Sequence, residues 1–215
     1  MGITKGSTDY GYIGYYADNI YPGELTHENE YIICTNGVNS ILMGYTGTET
    51  ELTLPEGITA ISQQAFSCNK NIIKIIIPES VTNIDEGSFL GCAGLTSIIV
   101  NENNPEYKSI DGNLYSKDGK KLIQYALGKN DVDFIIPDGV TSIGDFAFCC
   151  WDDFTPIKTI LSNITIPVGV TSIGDYAFYG CLVTIYCEAS IEPGNWSDMV
   201  SYCGGKVVWG AKESD

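Results

Sequence analysis

One phrase, written four times, limits what this chain can fold into. Residues 164–181 read Ile-Thr-Ile-Pro-Val-Gly-Val-Thr-Ser-Ile-Gly-Asp-Tyr-Ala-Phe-Tyr-Gly-Cys, and residues 134–150 are nearly the same text. Looser copies fill residues 75–92 and 52–68. Pro55 and Pro78 stand 23 residues apart, as do Phe66 and Phe89. Self-similarity at a period of about 20–29 residues marks a stacked solenoid, in which each repeat buries its apolar face only against its neighbours.

Each copy has the same internal logic. A short apolar strand comes first, and a proline closes it because proline has no N–H for the next ladder bond. Gly or Ser two residues on permits a tight turn. Ile58, Val81, Val140 and Val170 then point inward, followed by Ile61, Ile84, Ile143 and Ile173. A short helical or 3₁₀ turn is expected next, around residues 145–148 and 175–178, with Ala allowing close stacking and Phe filling the core.

The stack is framed and interrupted. Residues 1–30 are rich in Gly and Tyr and read as an irregular cap. Residues 31–34 and 40–43 flank Asn36-Gly37, a hairpin signal. The solenoid is expected over residues 46–187, after an N-terminal cap at 1–45 and before a C-terminal cap at 188–215, all in one continuous domain. Pro78 and Pro137 are 59 residues apart, more than two periods. The extra text, about residues 101–130, carries Asp118-Gly119 between two strand-like runs and predicts a second hairpin. A smaller insertion at residues 151–157 lengthens the fourth repeat, and its Trp151 and Phe154 are expected to fold back over the flank. Residues 182–187 read as the last strand. Trp196 and Trp209 read as the core of the closing cap.

Composition narrows the function. A net charge of −16 gives nothing to neutralise phosphates, which argues against nucleic acid and against a polybasic membrane contact. No apolar run approaches the roughly 18 residues that span a bilayer, and the first residues lack the apolar core of a signal peptide. His27 is the single histidine and has no nucleophile motif near it. Neither a phosphate-binding glycine loop nor a paired-cysteine metal pattern is present, so no catalytic residue, cofactor or metal is expected. The 215 residues include eight cysteines. Cys68, Cys92, Cys149 or Cys150, and Cys181 follow the repeat phenylalanine by one to three residues. They read either as a buried ladder of small apolar side chains or as disulfide partners, although pairing every member would leave the column's regularity unexplained.

The phrase Ile-Pro-x-Gly/Ser-Val-Thr-x-Ile-x-x-x-Ala-Phe-x-x-Cys resembles the BspA-like leucine-rich repeats of bacterial surface proteins. The text from Asp111 (Asp-Gly-Asn-Leu-Tyr-Ser-Lys-Asp-Gly) is similar to that family's hairpin interruption, and the likeness covers about residues 46–210. It implies an α/β repeat solenoid: a leucine-rich-repeat horseshoe or curved rod, with a parallel β-sheet on the concave face and short helical or 3₁₀ turns on the other side. It also implies a non-enzymatic, secreted or surface-displayed bacterial protein that adheres to other proteins, with host matrix or neighbouring-cell proteins as partners. A glycan-binding module and a structural spacer within a larger surface protein remain as alternatives.

Alignment on the prolines places a contact surface. Alternate strand residues face outward, giving one column of Glu51, Lys74, Ser97, Asp133, Asn163 and Thr184, and another of Thr53, Ile76, Ile99, Ile135, Thr165 and Tyr186. The expected ligand-binding residues are Thr53, Lys74, Ile76, Ser97, Ile99, Asp133, Ile135, Thr165 and Tyr186. Ile76, Ile99 and Ile135 are expected to stand in a row as an apolar stripe of the kind that marks interaction sites.

Overall fold

A computed structural model describes residues 23–63, 65–150, 157–191, 193–194, 196 and 204–211. The Gly/Tyr-rich stretch before residue 23, and Trp151 and Phe154, lie outside the described residues. The architecture is a parallel-strand solenoid of about seven turns. The chain enters through an antiparallel meander of β1 (Glu24–Glu28), β2 (Tyr31–Thr35) and β3 (Ser40–Tyr45), with Gly37 taking a left-handed φ in the turn between the last two.

From there each coil contributes two strands. The first, before the proline, is three or four residues long: β4 (Glu51–Thr53), β6 (Lys74–Ile77) and β8 (Ser97–Val100) form one parallel sheet. The second is a two-residue strand after the proline turn: β5 (Ala60–Ile61) and β7 (Asn83–Ile84) extend the β3 edge in parallel. The proline turns close with an amide-to-carbonyl bond, as from Val140 N to Pro137 O at 3.2 Å and Val170 N to Pro167 O at 3.1 Å. Gly57 and Gly139 sit in these turns at φ near +88° and +87°, where a Cβ would be strained. Alternation within β6 buries Ile75 and Ile77 and turns Lys74 and Ile76 outward.

After β8 the pattern changes. β9 (Tyr107–Ile110), β10 (Asn113–Ser116) and β11 (Lys121–Gln124) form an antiparallel meander. The coils then resume with β12 (Asp133–Ile135), β13 (Ser142–Ile143), β14 (Asn163–Ile166), β15 (Ser172–Ile173), β16 (Thr184–Cys187) and β17 (Lys206–Trp209). β12, β14, β16 and β17 make a second sheet of long strands, while β13 and β15 continue the column that β11 begins. The parallel stack therefore runs past Cys187, where the sequence suggested a last strand. Lys206–Trp209 adds one more rung, and Trp209 lies 5.3 Å from buried Trp196.

The insertion completes the edge of β8 with one backbone carbonyl and one hydroxyl where the meander displaces the next long strand. Ile98 N donates to Gly112 O at 2.8 Å, Val100 N donates to Ser109 Oγ at 2.7 Å, and that hydroxyl donates to Ile98 O. The Tyr107 hydroxyl likewise accepts from Ile84 N at 2.9 Å. Fully buried Asn104 ties the insertion to the preceding coil: its Nδ2 donates to Pro78 O and Val81 O, and its Oδ1 accepts from Glu106 N and Tyr107 N. Asn104 and the β8 amides are thus paired across the break, as the cost of burying polar groups requires. β12 starts the second sheet afresh, and it is more open than its siblings: its inward Phe134 is only half-buried, whereas Ile75, Ile98, Ile164 and Ile185 are fully buried.

The core follows the same division. One apolar cluster runs from Tyr31 to Leu114 and Ala126, and a second from Tyr115 and Leu122 to Trp196. Each cluster holds a stack of aromatic rings. Phe66 and Phe89 stack at 5.6 Å with 5° between planes, and Phe148 and Phe178 at 5.1 Å with 18°.

The expected helical or 3₁₀ turns are absent: the described residues contain no helix. Two turns closed by hydrogen bonds meet instead at one residue with left-handed backbone. In the third phrase copy, Ala147 N bonds Gly144 O and Cys149 N bonds Phe146 O, with Phe146 at φ +58°. Tyr176 (φ +55°) and Gly87 (φ +75°) hold the same place in their coils. A helix needs successive right-handed residues, so a single left-handed one between the two turns stops it from propagating.

Candidate functional site

The outward residues of the long strands form two ladders on each sheet. In the first sheet the register sets Glu51 beside Lys74 beside Ser97, and Thr53 beside Ile76 beside Ile99. In the second it sets Asp133, Asn163, Thr184 and Lys206 side by side, and Ile135, Thr165, Tyr186 and Val208 side by side. Short parallel strands produce this alignment, because identical spacing from each proline puts identical positions one strand apart, roughly 4.8 Å.

The polar ladders are internally paired. Lys74 Nζ meets Glu51 Oε2 at 2.7 Å, and Asn163 Nδ2 donates to Asp133 Oδ1 at 2.6 Å. Such exposed contacts hold side chains in place while adding little stability. The apolar ladder of the first sheet faces solvent: Ile99 is 39% exposed and Ile76 is half-buried. Ile135 is 57% exposed.

Of the nine residues expected at a binding surface, Thr53, Lys74, Ile76, Ser97 and Ile99 come together on the first sheet. Asp133, Ile135, Thr165 and Tyr186 come together on the second. The unbroken isoleucine row expected from the prolines does not form as one ladder. Ile76 and Ile99 are register partners, but Ser109 and Gly112 take the next edge and Ile135 begins another sheet. Lys206 and Val208 extend the second pair of ladders and were missed because no copy of the phrase ends just before them, as one does before β8 and β16. Their one signal is the alternation in Lys-Val-Val-Trp.

The turn side carries a different electrostatic feature. Glu86, from a coil of the first block, hydrogen-bonds Asp145 of the second. Partial burial and then that shared contact raise the Asp145 carboxyl to about 6. Its Oδ1 also accepts from Asp175 N at 3.0 Å, and Lys121 Nζ lies 3.4 Å from Glu86. Among the described residues, no three His, Cys, Asp or Glu side chains converge as a metal site. His27 lies on β1 opposite Ile32. No described helix is long and apolar enough to cross a membrane.

Comparison with known proteins places this geometry. The family model for the BspA type leucine rich repeat region matches residues 30–125 and 124–192, with 6 copies. The pneumococcal vaccine antigen PcpA has a similar crystal structure: 24% identity, TM-score 0.53, covering 63% of this chain and 38% of that one. The chain thus spans well under half the length of that protein. A leucine-rich repeat protein from Eubacterium ventriosum is 18% identical over 87% of this chain and 79% of its own, at TM-score 0.48. A leucine-rich repeat protein from T. pallidum is 16% identical over 88% of this chain and 100% of its own, at TM-score 0.42. No curated protein matches the chain.

Proposed function

Because the chain belongs to the BspA-type leucine-rich repeat family, we propose that it is a non-enzymatic, protein-binding module of a bacterial surface or secreted protein. Adhesion to a host matrix or neighbouring-cell protein is its role, and contact is made through the outward, concave face of the long strands. The observation that carries this reading is the register-matched pair Ile76 and Ile99, edged by Thr53, Ser97 and Lys74. Burying exposed isoleucine surface against a partner gains about 25 cal/mol per Å², and the paired polar ladder alongside it supplies orientation. A pneumococcal vaccine antigen with a similar fold, PcpA, is in keeping with the surface location.

The test is capture from a panel of purified matrix and serum proteins by the wild type and by Ile99→Asp, with a glycan array run in parallel. The reading expects a protein ligand that Ile99→Asp loses while its circular dichroism spectrum stays that of the wild type. Binding to one glycan class alone, insensitive to Ile99, overturns it.

A further inference from the structure

Cys150 and Cys181 belong to consecutive coils, and their Sγ atoms are 3.1 Å apart, closer than ordinary contact between two sulfurs. Both are buried. Their thiols converge on one acceptor, the Phe148 carbonyl, at 3.2 Å from Cys150 and 2.8 Å from Cys181. The backbones beneath them are already locked together, with Phe148 N bonded to Ala177 O at 2.8 Å and Cys150 N to Tyr179 O at 2.9 Å. A disulfide needs an S–S distance near 2.05 Å, so about 1 Å of side-chain approach completes it.

The spacing supplies an independent argument. Cys150 follows its repeat phenylalanine by two residues and Cys181 follows its own by three. Cys68 and Cys92, in the first two consecutive phrase copies, repeat those two offsets, and Cys68 N bonds Leu90 O as Cys150 N bonds Tyr179 O. A column of thiols kept only for packing has no reason to alternate in this way. Joining coils two by two accounts for it.

We propose that Cys150–Cys181 is an oxidation site at which a disulfide oxidant, oxidised glutathione or a protein disulfide of the same chemistry, staples two successive coils. One cysteine thiolate attacks the oxidant's disulfide, forming a mixed disulfide and expelling one thiolate. The second cysteine, having lost its proton, attacks the mixed-disulfide sulfur of the first and expels the other. Two cysteine thiols are oxidised, the oxidant is reduced to two thiols, and the two protons pass to the leaving thiolates. Since both sulfurs are enclosed in the finished stack, the exchange takes place while the coils close, and the finished bond is shielded from reductant.

The full chain is unfolded, refolded in a mixture of oxidised and reduced glutathione, blocked with N-ethylmaleimide and digested without reduction for mass spectrometry. The expected product is a cross-linked peptide containing Cys150 and Cys181, lighter by two hydrogens, with neither residue alkylated. The bond closes a loop of 31 residues, so the unfolding midpoint of the oxidised chain should exceed that of the reduced chain by roughly 5–10 °C. That difference should shrink in Cys181→Ala. Alkylation of both residues in the oxidised wild type, a cross-link of either to another cysteine, or a midpoint difference of undiminished size in Cys181→Ala would each overturn the proposal. The peptide map of the wild type decides the matter even where a variant fails to fold.

Discussion

The ring of Tyr125 lies 5.1 Å from that of Phe148, with 23° between their planes, and Tyr125 N donates to Ala147 O at 2.9 Å. The same backbone bond joins Phe148 N to Ala177 O one coil later. Tyr125 therefore takes the phenylalanine's place in the coil that carries the insertion. The aromatic column runs through the region where the sheet of long strands is interrupted, and it stitches the meander to the second block. Burial and the nearby Asp131 raise the Tyr125 hydroxyl's pKa, so it stays protonated and donates to Asp131 Oδ2 at 3.1 Å.

Phe148 sits between Tyr125 and Phe178 and is fully buried. Replacing Phe148 with Ala should destabilise the fold by about 3–5 kcal/mol, the range for emptying a packed aromatic site. Urea unfolding followed by circular dichroism measures it. A loss under about 1 kcal/mol would mean that the column does not carry the stack.

Gly87 holds the left-handed position that Phe146 and Tyr176 hold in later coils. A Cβ there would meet the Phe146 ring at 3.5 Å, ordinary contact, so the penalty for Gly87→Ala comes from φ rather than collision. The expected cost is about 1–2 kcal/mol, and Gly87→Asn should cost less because Asn tolerates that backbone. Equal losses for the two variants, read from urea unfolding midpoints, would point to a steric cause.

Asp145 has a folded-state pKa of about 6, raised from 3.8 by burial and by Glu86. Between those values the folded chain holds a proton that the unfolded chain has released. This group's contribution therefore makes stability fall as pH rises through that window and level off above it. Asp145→Asn keeps an acceptor for Asp175 N and cannot ionise. Its unfolding free energy, compared with wild type at pH 4.5 and at pH 7, should show a smaller decline. An identical decline in both proteins would place the pH dependence elsewhere.

Much of this structure was legible because the repeats are literal. The phrase prolines close β4, β6, β12 and β14, the matching apolar runs mark β8 and β16, and Phe66, Phe89, Phe148 and Phe178 mark the stacked column. The turn conformation was not legible. Two of its left-handed positions are occupied by Phe146 and Tyr176, residue types that disfavour that region, and the stacking of their rings at 5.5 Å and 7° accompanies the strain. Tyr125 in the column was hidden because no Ala-Phe pair announces it. The break between Ile99 and Ile135 was hidden too. It depends on Ser109, Gly112 and Asn104 meeting backbone groups of earlier coils, and no local pattern encodes that meeting. Lys206–Trp209 forms a rung that no copy of the phrase precedes or follows, so the repeat could not reveal it.

The central claim is that the outward isoleucines of the long strands meet a partner protein. Its most direct measurement compares the affinity of one captured matrix or cell-surface protein for the wild type, Ile99→Asp and Val38→Asp. Val38 is 87% exposed and lies in the turn between β2 and β3, away from the ladders, so it serves as the control. Ile99→Asp should weaken binding by about tenfold or more, corresponding to about 1.4 kcal/mol, with an unchanged melting curve, while Val38→Asp binds as the wild type does. Equal affinity for all three proteins would contradict the account, and an unfolded Ile99→Asp would show that Ile99 belongs to the core.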